Sequence, residues 1–205
     1  MLTDLTIREF LKKTASGDPV PGGGSSAALN AALAAALTEM VANLTTGRKG
    51  FEAVDAEMRS VAEKAAGFRL KLTADVDRDA DAYTQVLAAF KLPQKTGAEK
   101  AERTRAVQQA FTQAALVPLG VARDALAIMD LGRTVLSKGN PNAASDGAAG
   151  VLAARMAART AVYNVRINLG FLQDQSFTSE LHREADKLEA AAEAREKEIL
   201  SLVKL

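Results

Sequence analysis

The 205-residue sequence contains no cysteine, no tryptophan, a single histidine (His182) and only five prolines. Without cysteine there is no disulfide framework, no thiolate metal site and no cysteine nucleophile. One histidine excludes any site that needs two imidazoles, so we expect no metal centre. Aromatic residues make up only 4% of the chain, and few of its apolar residues are of the β-branched or aromatic types that strands prefer. An all-β fold is therefore excluded.

The chain also lacks an excess of either charge. Its 26 basic and 25 acidic residues give a net charge of +1, which provides no electrostatic reason to expect nucleic acid or an anionic membrane as a partner. The N-terminal segment 1–5 lacks the basic and apolar regions of a signal peptide. We therefore expect a soluble, cytoplasmic protein.

Alanine dominates what is present, at roughly a fifth of the residues, and it has the highest helix propensity. Proline and glycine divide the chain into about six helices, which predicts an all-α, up-and-down bundle forming a single domain over residues 1–205. The predicted helices begin after the capping-box sequence Thr6–Glu9 and at Ser25 and Ser26, Phe51, the capping-box sequence Thr96–Glu99, Asn142 and Thr178. They end near Gly17, Gly47, Phe90, Ser137, Gly170 and Val203. Pro118 predicts a kink or break in the fourth helix.

The Ala-rich segment 27–44 is long enough to cross a membrane. However, alanine contributes little to membrane insertion, and the central Glu39 would be costly in hydrocarbon. We interpret the segment as the buried centre of a helical bundle.

The third predicted helix carries an acidic residue where the periodicity predicts an apolar one. Its apolar residues recur every three or four positions, and position 79, between Val76 and Tyr83, continues this stripe but is Asp79. Burial raises the pKa of an unpaired carboxyl toward the range useful for proton transfer. The alternative is a structural hydrogen bond or ion pair to a neighbouring helix. We expect the neighbouring Asp75, Asp77 and Asp81 to be solvated, and His182 to lie on the surface.

Three loops carry more polar groups than a turn requires. Gly22, Gly23 and Gly24 precede a helix N-terminus, where free N–H groups favour an anion or a carbonyl oxygen. The other two loops contain Arg48 with Lys49, and the segment 138–146. Asn164 and Asn168 lie one turn apart on a later helix, where two amides could read a polar heterocycle. Helix capping and interhelical hydrogen bonding are the alternative explanations for these groups.

Taken in order, these segments resemble the cyclodeaminase/cyclohydrolase family. This family includes the cyclodeaminase domain of formiminotransferase-cyclodeaminase and free-standing bacterial methenyltetrahydrofolate cyclohydrolases. The resemblance covers nearly the whole chain. The matching motifs are Pro21–Ser25, Asn43–Lys49, Asp79-x-x-Ala82-Tyr83, Leu92–Thr96, Val117–Leu119, Gly139-Asn140 with Ser145-Asp146, and Asn164-Val165-x-Ile167-Asn168.

The resemblance implies a homodimer that binds folate in a groove at or near the subunit interface. It implies that Asp79 is catalytic, with Tyr83 as a positioning partner, and that Arg48 and Lys49 bind the anionic glutamate tail. For five further polar residues the resemblance implies recognition of the pterin or, through Asp146, a second proton relay. They are Asn140, Asn142, Ser145, Asp146 and Asn168. Gly22, Gly23, Gly24, Ser25 and Asn43 are the remaining implied substrate-binding residues. Neither a metal nor a cofactor beyond the tetrahydrofolate carrier is implied.

Two reactions remain open. A cyclodeaminase converts 5-formiminotetrahydrofolate to 5,10-methenyltetrahydrofolate and ammonia, whereas a cyclohydrolase hydrates the methenyl compound to 10-formyltetrahydrofolate. The motif spelling at Gly47–Lys49 and Ser145-Asp146 occurs in both groups, and we take the cyclodeaminase as the first expectation. A helical dimerisation module that has lost catalysis is the non-enzymatic alternative.

Overall fold

The computed structural model describes residues 1–203 and contains six α-helices in that range, as the sequence predicts. Their bounds are α1 Ile7–Thr14, α2 Gly23–Asn43, α3 Asp55–Phe90, α4 Gly97–Lys138, α5 Ala144–Leu169 and α6 Gln175–Leu200. Short 3₁₀ turns at Leu2–Asp4, Glu52–Val54 and Pro141–Ala143 precede α1, α3 and α5. The predicted domain ends at residue 205, and its last two residues lie outside the described range.

The predicted helix boundaries are correct where a capping box defines them. Thr6 and Glu9 form a reciprocal capping box at α1, and Thr96 and Glu99 form another at α4. Such boxes satisfy two backbone N–H groups that the first helical turn leaves free. The predicted caps Ser25 and Ser26 are wrong. Helix α2 begins two residues earlier, with Gly22 as its N-cap.

Helices α2, α3, α4 and α5 form the core. Each packs against the next one along the chain, and α2 also packs against α5, which closes a ring of four helices. Most of the buried α2 side chains are alanines, and their small size lets neighbouring helices approach closely. More than half of the apolar stretch of α2 is buried inside the protein, consistent with the centre of a bundle. Helix α6 packs across α4 and α5.

Of the kink or break predicted at Pro118, the break does not occur: α4 continues through this buried residue. Proline has no N–H to donate to the carbonyl four residues earlier, which here is that of Ala114. The side chain of Asn168 on α5 supplies the missing donor, with its Nδ2 lying 2.8 Å from the Ala114 oxygen.

The acidic cluster on α3 differs in part from the prediction. Asp81 is exposed, as expected, but Asp75 and Asp77 are buried rather than solvated. Asp75 pairs with Lys71 and Arg78 on its own helix. Asp77 accepts hydrogen bonds from the Leu2 backbone N–H and the Thr3 hydroxyl, because the N-terminal turn folds over α3. His182 is exposed, as predicted.

Candidate active site

A pocket of about 500 Å³ lies where the N-terminus of α2 meets α3, α4 and the C-terminal end of α5. Its polar groups come from the Gly22–Gly24 segment, Asp79, Tyr83, Asn164 and Asn168. Asp79 is the only carboxylate among the lining residues, and no lysine, arginine or histidine is among them. An unpaired acid is therefore the central charged group of this pocket.

Asp79 is half-buried and is held from α2. The Ser25 Oγ lies 3.0 Å from Asp79 Oδ2 and 3.0 Å from the Val76 carbonyl oxygen. Burial is the largest influence on the carboxyl and raises the pKa of Asp79 above its ordinary value, although the Ser25 hydroxyl and backbone N–H act in the opposite direction. A carboxyl with a raised pKa is suited to both taking up and returning a proton.

The close approach of Asp79 to α2 depends on Gly24. A Cβ atom at position 24 would lie 1.9 Å from Asp79 Oδ1 and 2.5 Å from its Cγ, far inside van der Waals contact. Glycine is thus required at this position by space, a reason that the sequence prediction of an anion or carbonyl oxygen at this helix N-terminus did not include. Ser25 is fully buried and does not line the pocket, so its observed contact is with Asp79.

Two amides from α5, Asn164 and Asn168, are further polar groups of the pocket. Asn164 Nδ2 donates to the Thr160 carbonyl at 2.8 Å. Asn168 Nδ2 donates to the carbonyls of Ala114 and Asn164 at 2.8 and 2.9 Å. The amides therefore join helices, as one explanation of their spacing predicted, and they also line the pocket.

The mouth of the pocket is aromatic, a feature that none of the sequence motifs indicated. Phe111 stacks on Phe171 with ring centroids 4.4 Å apart and meets Phe90 edge to face at 5.9 Å. The exposed fractions of Phe171 and Phe90 are 54% and 43%, and that of Tyr83 is 37%. These half-exposed rings provide flat apolar surface on which a planar ring system could stack.

The remaining predicted site residues lie near the other end of the core. They are Asn43, Arg48, Lys49, Asn140, Asn142, Ser145 and Asp146, at the C-terminal end of α2 and the start of α5. The 21 residues of α2 separate them from Asp79 by about 30 Å, at 1.5 Å per residue. Arg48 and Lys49 are exposed. Asn140 is buried, with its backbone N–H bonded to Thr45 Oγ1 at 2.9 Å. Within one chain, therefore, the predicted site residues around Asp79 and those around Arg48 and Asp146 do not come together.

Comparison with known proteins identifies this arrangement. Residues 6–187 match the family described as formiminotransferase-cyclodeaminase. The chain belongs to that family. It is 40% identical over 199 residues to a methenyltetrahydrofolate cyclohydrolase of Methylorubrum extorquens, covering 97% of this chain and 96% of that protein.

Longer relatives and a solved structure fit the same family. The formimidoyltransferase-cyclodeaminase of Rattus norvegicus is 35% identical over 191 residues, which cover 93% of this chain but only 35% of the rat protein. The crystal structure of the formiminotetrahydrofolate cyclodeaminase of Thermotoga maritima superposes with a TM-score of 0.88 at 30% identity, covering 99% of this chain and 98% of that one. The resemblance of the sequence to the cyclodeaminase/cyclohydrolase family is thus confirmed.

Proposed function

We propose that this protein is a methenyltetrahydrofolate cyclohydrolase. The observation that carries the proposal is the 40% identity to a protein of that name, matched over nearly its full length. The sequence motifs occur in both groups and the cyclodeaminase was the first expectation, but the rat and Thermotoga relatives, which are named for the cyclodeaminase, are less similar, at 35% and 30% identity. The cyclohydrolase is therefore the better supported of the two reactions.

The site contains a group suited to hydrating a methenyl carbon. A water molecule attacks the carbon between N5 and N10, and Asp79 accepts one of its protons as the C–O bond forms. The resulting tetrahedral carbon collapses to a formyl group on N10 as the N5–C bond breaks. Asp79 returns its proton to N5, and the second proton of the water is released to solvent. The raised pKa of Asp79 fits a group that carries a proton in both directions.

The cyclodeaminase is the second candidate, supported by the close structural match to a formiminotetrahydrofolate cyclodeaminase. That reaction also passes through a tetrahedral carbon between N5 and N10. There N10 attacks the formimino carbon and ammonia leaves. Asp79 would again carry the proton, so the pocket geometry suits both reactions.

A pair of assays separates these reactions. The purified protein is incubated with 5,10-methenyltetrahydrofolate while its absorbance is followed, and separately with 5-formiminotetrahydrofolate while ammonia is measured. We expect enzyme-dependent loss of the methenyl absorbance and at least a 100-fold decrease in kcat for Asp79→Asn, within the range for loss of a general base. Ammonia release without hydration would establish the cyclodeaminase instead. A protein that neither turns over nor binds either folate would refute both and support the dimerisation module.

We further propose that two copies of the chain pack through the exposed apolar side of α2 and α5. Both helices carry large, half-exposed apolar side chains over much of their length. They are Leu29, Leu33 and Met40 on α2, Leu44 at its C-cap, and Leu152, Met156, Tyr163 and Ile167 on α5. Contiguous apolar surface of this kind marks an association site. The surface runs from the Asp79 pocket to the end of the core that carries Arg48. We infer that a second copy of the chain occupies it, because a second copy would bring these two groups of predicted site residues together.

A two-fold axis through the middle of this surface would complete the site. A two-fold interface apposes the same surface of both subunits in opposite directions, which would bring the Arg48 end of one copy beside the Asp79 pocket of the other. The glutamate tail of folate is anionic and the pocket itself contains no cation, so a guanidinium from the second copy would supply the missing charge.

Subunit complementation tests this assembly. Asp79→Asn and Arg48→Ala are each purified, mixed after reversible dissociation, and assayed at limiting folate. Each mixed dimer would contain one site with both native residues and one with neither. Since about half of the dimers in a random mixture are mixed, about a quarter of all sites would be restored. Activity no higher than the average of the two variants would refute a shared site. Leu33→Glu, in the middle of the surface, should yield a monomer by light scattering.

A further inference from the structure

The proline in the middle of α4 has no role in the proposed function, yet it affects the hydrogen bonds of a side chain that lines the pocket, Asn168. Pro118 is buried and interrupts the hydrogen-bond pattern of a 42-residue helix. Because it has no N–H, the Ala114 carbonyl has no donor from within its helix. That carbonyl belongs to a residue that lines the pocket.

The freed carbonyl orients the amide of Asn168. Its Nδ2 group has two hydrogens, and two backbone carbonyls accept them, Ala114 at 2.8 Å across the helix interface and Asn164 at 2.9 Å one turn earlier. Both acceptors are carbonyl oxygens, so the amide nitrogen must face them. Because Asn168 lines the pocket and its Nδ2 is engaged, Oδ1 is the side-chain atom that remains for a ligand.

We propose that Pro118 makes Asn168 a fixed hydrogen-bond acceptor, which selects ligands whose planar ring presents an N–H group to α5. The inference rests on the proposed function and names the part of the substrate that is read, namely an N–H donor on the pyrimidine ring of the pterin. Selection of this kind is effective because a ligand without the donor leaves the amide oxygen unpaired. Asn168 is a specificity residue in this account, and Pro118 is a positioning residue that acts through it.

Pro118→Ala tests the proposal by supplying the missing backbone donor. The new N–H at position 118 would bond to the Ala114 carbonyl within α4 and compete with the Asn168 amide for it, leaving that amide held by the Asn164 carbonyl alone. We expect a higher melting temperature, because proline is unfavourable inside a helix. We also expect about a three- to tenfold weaker Kd for tetrahydrofolate, the loss typical of one hydrogen bond, with kcat within about twofold because the Asp79 contacts are unchanged.

Gly120→Ala, two residues further along α4, is the matched control. A Cβ at position 120 meets no atom within 4 Å, so this variant also favours the helix without supplying a donor to Ala114. Its melting temperature should rise while its Kd for tetrahydrofolate stays at the wild-type value. Asn168→Ala should weaken Kd at least as much as Pro118→Ala does. An unchanged Kd in both Pro118→Ala and Asn168→Ala would overturn the proposal.

Two analogues identify the donor that is read. Kd is measured for a tetrahydrofolate with a methyl group in place of the 2-amino group, and for one whose 4-oxo group is replaced by an amino group, which removes the N3–H. Wild type should discriminate against one of the two, and that discrimination should disappear in Pro118→Ala. Discrimination that persists in Pro118→Ala, or that is absent from wild type, would refute the assignment.

A measurement without ligand separates this inference from the proposed function. Both side-chain amide hydrogens of Asn168 are hydrogen-bonded in the structure, so NMR should show slow exchange for them in wild type and Gly120→Ala and faster exchange in Pro118→Ala. Fast exchange in wild type would refute the fixed amide whatever the enzyme does. Slow exchange in a protein that does not bind tetrahydrofolate would instead refute the proposed function.

Discussion

Adding a single methyl group at Gly24 should inactivate the enzyme while leaving it folded. In Gly24→Ala the new Cβ would lie 1.9 Å from Asp79 Oδ1, whereas ordinary contact begins at 3.4 Å, so the carboxyl has to withdraw by about 1.5 Å. A displacement of about 1 Å in a reacting group can reduce the rate about 100-fold. We therefore expect kcat for 5,10-methenyltetrahydrofolate to fall by about two orders of magnitude.

The stability of this variant should change much less than its activity. Alanine in a helix is favoured over glycine by about 1 kcal/mol, whereas overpacking a well-packed contact costs about 1–3 kcal/mol. The net loss should thus lie between about 0 and 2 kcal/mol, and thermal unfolding followed by circular dichroism would measure it.

Gly67→Ala on α3 is the control, because a Cβ there meets no atom within 4 Å. It should be about 1 kcal/mol more stable than wild type and fully active. Gly24→Ala with kcat within threefold of the wild-type value would refute the reasoning, since the position of the Asp79 carboxyl could not then matter to the rate.

Two further predictions concern the pocket. Because burial raises the pKa of Asp79, the folded state binds the carboxyl proton more tightly than the unfolded state does. The stability that this proton provides is therefore lost as pH rises from the ordinary pKa of an aspartate through the raised pKa of Asp79. Asp79→Asn should thus gain in melting temperature relative to wild type as pH rises from 4 through the raised pKa of Asp79 and keep that gain above it, by about 2–4 °C for each kcal/mol; a difference that shrinks as pH rises would contradict the burial argument. Phe171→Ala removes the ring stacked on Phe111 at 4.4 Å and should raise KM severalfold with kcat nearly unchanged. If kcat falls and KM does not, the ring acts on the chemistry rather than on binding.

The sequence was informative wherever a local rule determines the structure. The capping boxes at Thr6 and Thr96 depend on residues three positions apart, and both formed as predicted. The stripe on α3 placed Asp79 on the buried side because helical periodicity depends only on spacing. The helix starts at these caps and the burial of Asp79 therefore follow from the amino-acid order alone.

Long-range contacts account for the burial of Asp77 and for the aromatic cluster in the pocket, neither of which the sequence predicted. Asp77 is buried because the N-terminal turn folds onto α3 from 75 residues away, and periodicity carries no information about such a contact. Phe171 follows the end of α5 and belongs to no stripe, so only the structure reveals its stacking on Phe111. The separation of Asp79 and Arg48 could have been predicted from the sequence only in part. The predicted length of α2 separates the glycine segment at its start from Arg48 at its end, but only the structure places Asp79 beside that segment.

The structure also bears on whether Asp79 is a structural or a functional carboxylate. A carboxylate kept for stability has its charged form stabilised, as in Glu184, whose pKa Arg123 lowers through a hydrogen bond at 2.5 Å. Among the carboxyl groups of residues 1–203 whose pKa departs clearly from the ordinary value, the others are lowered and that of Asp79 is raised. Its partners are a hydroxyl and a backbone N–H of Ser25 on α2 rather than a cation, so the ion-pair explanation fails, whereas the predicted alternative of a hydrogen bond to a neighbouring helix is confirmed. Burial without a neighbouring cation disfavours the charged form of Asp79, which is the pattern expected of a group retained for its chemistry.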